Sequence, residues 1–162
     1  MVTLAHAKTP QGPVAISLYR ARLCGHMSLC TMQQPQGNGA CATYPIGPKS
    51  KYQDIGTAPM WLLAGGHGSC KPPRFQVITG IVLRTGLTAW LRTPQGLSRM
   101  ATAGAPKAFG VTGPVIYAVL TEGPDTIMLR DAQDKTVYST PAVSGPSTPA
   151  YCGGLNPDTT SG

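Results

Sequence analysis

Residues 110–139 read GVTGPVIYAVLTEGPDTIMLRDAQDKTVYS, and this stretch decides the fold class. Val115, Tyr117 and Val119 alternate with Ile116, Ala118 and Leu120, so the run fits an extended segment with a side-chain period of two. Glu122, Gly123 and Pro124 break it, a second apolar run covers 127–129, and a polar bend at 131–135 leads to a third run at 136–139. Three strands joined by a turn and a hairpin account for this punctuation.

The composition extends that reading to the whole chain. Its 162 residues suffice for one domain with a real core. With 20 Gly and 16 Pro, turns are frequent, and charged residues make up only 12%. That leaves little material for the solvated face of amphipathic helices. We therefore expect an all-β domain over 1–143, a sandwich or partly open barrel of nine to eleven short antiparallel strands with little or no helix. A tail rich in Pro, Ser, Thr and Gly follows over 144–162.

Strands are predicted over 2–8, 14–24, 27–32, 41–46, 60–64, 74–83, 88–92 and 97–102, ahead of the three in the opening stretch. The tetrapeptide TPQG occurs at 9–12 and again at 93–96, and PQG recurs at 35–37. Pro at the second position and Gly at the fourth suit a type I turn, so all three are read as strand connections. Their flanks show no fixed period, which argues against a repeat architecture. In 74–83, Phe75, Val77 and Ile81 are assigned to the core side, with Gly80 at a bulge or close contact.

The net charge of +7 is spread along the chain without a basic run. Arg20 beside Tyr19, Arg74 beside Phe75 and Arg92 near Trp90 could form a base-stacking platform, but aromatics at strand spacing are more often core. No nucleic-acid partner is favoured; the charge points to an anionic cell-envelope component or another protein.

Five cysteines stand at 24, 30, 41, 70 and 152, an odd number that leaves one without a partner in the chain. Cys24 and Cys30 cannot bridge within one strand, because six extended residues span about 20 Å and bridged Cα atoms come within about 7 Å. Cys30 with Cys41 is the preferred bridge, and Cys70 with Cys152 would tether the tail. A metal alternative uses Cys24, His26, Cys30, His67 and Cys70, although C-x-H-x3-C and H-x2-C are not the usual paired knuckles.

GGHGSC at 65–70 invites two further readings. It lacks the phosphate-loop pattern, and Pro72 and Pro73 forbid a helix where one would have to start. A nucleophile at Ser69 or Cys70 with His67 as its base defines a small-hydrolase alternative, but no acid orients the His. The carboxylates Asp54, Glu122, Asp125, Asp131, Asp134 and Asp158 are read as solvated turn residues rather than a glycosidase pair. No pattern asks for a cofactor.

The segment GPVIYAVLTEGPDTIMLRDAQDKTVYSTPAV, together with SLYRARLCGHMSLC, resembles uncharacterised β-rich domains of exported or membrane-tethered actinobacterial proteins. The resemblance implies a sandwich-like fold on the outer face of the membrane, and no catalytic residue comes with it. The expected function is thus a non-enzymatic, extracytoplasmic binding, sensing or structural module. Any site is expected in the cysteine-bearing part between Cys24 and Lys71. No apolar span reaches the length of a membrane helix, and the first residues lack a leader's apolar segment. A chain complete as given would therefore be cytoplasmic.

Overall fold

The computed structural model describes residues 1–23, 25–34, 38–43, 59–63, 68–69, 73, 75–111, 113–121 and 125–142. They form thirteen strands and one 3-10 turn at Lys107–Phe109. Two differences separate thirteen from the eleven strands read from sequence. A two-residue strand, β6 (Gly68–Ser69), pairs with β7, and the segment expected as 97–102 divides into β9 (Gly96–Arg99) and β10 (Ala101–Ala103).

All pairings are antiparallel and build three sheets. Sheet A is a meander of β1 (Val2–Thr9), β2 (Gly12–Leu23), β3 (His26–Gln34) and β4 (Asn38–Thr43). Sheet B runs β10, β11 (Val115–Leu120), β7 (Phe75–Val82), β5 (Met60–Leu63), with β6 also on β7. Sheet C runs β13 (Thr136–Pro141), β12 (Thr126–Arg130), β8 (Thr88–Thr93), β9. Among the described residues no barrel closes, and the arrangement is sandwich-like with sheet B as its middle layer.

Strand parity explains the layering. The odd-numbered residues Phe75, Val77 and Ile81, with Val115, Tyr117 and Val119, pack on Val14, Ile16, Leu18 and Leu29 of sheet A. Even-numbered Ile78, Val82, Ile116 and Leu120 pack on Leu91, Ile127 and Leu129 of sheet C. Successive side chains leave a strand on opposite faces, so one apolar run feeds two cores. This corrects the one-sided expectation for 74–83: all eight residues of β7 are buried. Such a doubly covered strand reads as a continuous apolar run, here FQVITGIV. Gly80 makes no bulge, since it keeps register with both Ile116 and Leu62.

Two close approaches fix the central sheet. Val82 N–H donates to Pro114 O at 3.1 Å, and Gly113 lies so near that an added Cβ would stand 2.7 Å from the Val82 carbonyl carbon. Between sheets A and B, the buried Gln33 donates from Nε2 to Val77 O at 3.3 Å. At the rim, the Arg20 guanidinium lies 5.8 Å from the centre of the Phe109 ring, covering the cluster that holds Leu18 and Ile81. No helix among the described residues is long and apolar enough to cross a membrane.

Candidate binding groove

On its β10 side, sheet B is incomplete among the described residues. Strand β11 is paired with β7 along its whole length, but β10 reaches only Val115, Ile116 and Tyr117. The reason lies at Met100. Its N–H donates to Ala89 O at 2.9 Å, continuing the ladder with β8, whereas the next residue, Ala101, pairs with Tyr117. The chain changes sheets at this residue, which is only 5% exposed. Ala118, Val119 and Leu120 are left with no strand beside them on that side among the described residues.

Ladder alternation then says which groups face the gap. In an antiparallel pair a residue turns both its N–H and its C=O to the same side, and successive residues alternate. Because Pro114 accepts from Val82, residues 116, 118 and 120 also turn to β7, and 115, 117 and 119 turn away. Val115 and Tyr117 meet β10 there. Val119 directs its N–H and C=O into the gap.

The gap is a groove of about 280 Å³. His6, Ala7 and Lys8 of β1 line one side, and Leu91, Ser98 and Arg99 of β8 and β9 line the other. Tyr117, Ala118 and Val119 belong to the edge between them. Its volume lies just below the usual range for sites of cofactor size, about 300–1,000 Å³. Lys8 and Arg99 are exposed, and none of the described lining residues is acidic. A bulge in β1 sets the first wall: register slips between Thr3 and Ala5 against β2, which keeps Leu4 on the core yet seats Ala7 opposite Val14.

The two walls are built alike. Residues 5–12 read AHAKTPQG and 89–96 read AWLRTPQG. In each turn the Thr hydroxyl accepts from the Gln N–H at 3.2 Å and donates to the Gly C=O, at 2.7 Å in the first and 3.4 Å in the second. Two residues before each Thr comes a buried apolar side chain, Ala7 or Leu91, and these two line the groove from its opposite sides. The recurrence of TPQG is visible in the sequence, and comparing its upstream flanks would have singled out this pair.

The residues picked from sequence fall elsewhere. Cys30 and Cys41 face one another across β3 and β4 and are bridged, with Cα atoms 4.1 Å apart. Cys30 therefore has no thiolate to offer a metal. Cys24, His67, Cys70 and Cys152 lie outside the described residues, while His26 and Ser69 are described only in their backbone, on β3 and β6. No group of three or more His, Cys, Asp or Glu side chains suited to a metal occurs among the described residues.

Of the acids, Asp131 behaves as a turn residue: its Oδ1 accepts from the N–H groups of Gln133 and Lys135, both at 2.9 Å. Asp134 takes the left-handed conformation at φ 62° and pairs with Arg130 at 3.2 Å. Asp125 departs from the expectation of a solvated acid, being only 3% exposed beside the junction where Ala142 N–H donates to its carbonyl. Asp54, Glu122 and Asp158 are outside the described residues. Of the aromatics considered above for a platform, Phe75 is core and the Arg130 guanidinium lies 5.1 Å from the centre of the Trp90 ring, while Arg74 lies outside the described residues.

Compared with family models, curated proteins and solved structures, the chain matches none of them.

Proposed function

We propose that this protein is a non-enzymatic, extracytoplasmic binding module whose ligand is anionic and enters the groove at β11. The carrying observation is the pairing of an uncovered strand edge with Lys8 and Arg99 and no acid in the described lining. Two cations at the rim of a small concave site raise the local concentration of anions there. The Cys30–Cys41 bridge supports an oxidising compartment, where such bonds persist. The resemblance to exported or membrane-tethered actinobacterial domains points the same way.

Titration with an acidic hexapeptide and with inorganic polyphosphate, followed by amide chemical shifts, tests the ligand class. Shifts at Lys8, Arg99 and Val119 are expected, and the double variant Lys8→Glu, Arg99→Glu should lose them. Equal shifts in that variant would overturn the anionic reading. For the compartment, thiols blocked during lysis and mapped without reduction should leave Cys30 and Cys41 linked; a reduced pair would overturn extracytoplasmic residence.

A further inference from the structure

We infer that the groove takes an extended acidic peptide segment as an added strand of sheet B, hydrogen-bonded to Val119. The inference rests on the anionic-ligand reading and specifies the class of ligand and its mode of capture. An exposed strand edge presents a donor and an acceptor from the same residue, and a backbone in β conformation supplies the complementary pair. A compact anion supplies acceptors alone and leaves the Val119 N–H and C=O unequally served.

Geometry limits the segment. The open part of the edge is Ala118 to Leu120, about 10 Å of strand at the usual rise. One residue of the ligand pairs with Val119, and its two neighbours complete the contact. Tyr117 is already bonded to β10, so Ala101 ends the added strand on that side.

Side-chain recognition follows from the three layers. A strand continuing sheet B sends successive side chains alternately toward sheet A and sheet C. One meets Ala7 of β1 and the next meets Leu91 of β8, while Lys8 and Arg99, whose side chains leave their strands on the outer faces of sheets A and C, stand at the two rims. A second copy of the chain does not fit, because each β11 edge is recessed between its own two hairpins. Only a strand free of its own sheet reaches it.

The test measures binding of a hexapeptide that carries two Glu residues by fluorescence anisotropy. Two further peptides complete the set: Gln in place of both Glu, and the parent with its central amides N-methylated. Each change is expected to weaken binding about tenfold or more, the scale of one lost charge-assisted or paired backbone contact. Val119→Pro is expected to abolish binding while preserving the fold, since its N–H is not used in the ladder with β7. Should that variant fail to fold, the N-methylated peptide on the wild-type protein decides the same question.

Equal affinity for the N-methylated and parent peptides would overturn strand addition yet leave an anion-binding groove. Equal affinity for the Gln peptide would overturn the anionic reading as well. Polyphosphate that displaces the peptide and binds more tightly would assign the groove to a polyanion instead. Dimerisation that Val119→Pro removes would assign the edge to self-association.

Discussion

The two TPQG hairpins share a turn and the strand that leads into it, and differ in the strand that leaves it. In the first, β2 runs for twelve residues in the interior of sheet A and buries Val14, Ile16 and Leu18 against the central sheet. In the second, β9 is a four-residue edge strand of sheet C, and all four residues are exposed. The tetrapeptide fixes where the chain reverses, and the neighbours acquired afterwards decide how much free energy each hairpin contributes. The short edge strand has a use: by stopping at Arg99, β9 lets the chain cross to sheet B and leaves the groove open.

The sharpest contrast should come from paired truncations. Ile16→Ala removes a wholly buried side chain and is expected to cost about 2–5 kcal/mol, whereas Leu97→Ala in β9, 41% exposed, should stay within about 0.5 kcal/mol. Urea unfolding of both variants checks this, and equal losses would mean that the second hairpin is also packed from outside. The next largest effect is confined to sheet A. Replacing Cys30 and Cys41 together by Ala opens a link across a separation of 11 residues and is expected to cost about 3 kcal/mol through the freedom gained by the unfolded chain. Reduction of the wild-type protein should reproduce most of that loss.

How far these features were readable beforehand depends on how local their causes are. Alternation over 115–120, the hairpin at Asp131 and both TPQG turns are set by neighbours in sequence, and all were legible. The Cys30–Cys41 bridge followed from the short loop between two strands. The middle-layer role of β7 was not, because a run buried on both faces carries no alternation to show which side is the core; FQVITGIV fits either case. Asp125 misled because it follows Gly and Pro in an apparent turn, while its burial comes from partners far away in sequence. The groove was the least legible feature. It depends on where β10 ends, which the tertiary crossing at Met100 sets, and its walls come from segments more than eighty residues apart.

Substituting the turn glycines tests whether the two hairpins are equal where their sequences are. Gly12 and Gly96 sit at φ 104° and 135°, and a Cβ added at either would meet nothing within 4 Å. The cost of Ala is therefore backbone strain alone, expected at about 1–2 kcal/mol and similar at both sites. Thermal unfolding of Gly12→Ala and Gly96→Ala checks the pair. A much larger loss at Gly12 would show that sheet A transmits turn strain into the core.

The smallest expected effect separates the turns themselves. Thr9 Oγ1 donates to Gly12 O at 2.7 Å in a partly buried setting, and its counterpart from Thr93 to Gly96 O spans 3.4 Å in the open. Val keeps the branched shape of Thr at a strand end and deletes the hydroxyl, so each substitution removes a donor and an acceptor with little change in packing. A hydrogen bond shielded from water contributes more than one that water replaces, which puts Thr9→Val at about 1 kcal/mol and Thr93→Val at about 0.5 kcal/mol or less. Amide exchange at Gln11 and Gln95 resolves differences of this size, because each N–H donates to the deleted hydroxyl. Faster exchange at Gln11 alone would mean that the second turn is held by its Pro and Gly without help from Thr93, and the shared tetrapeptide would then act through backbone conformation rather than through its side chain.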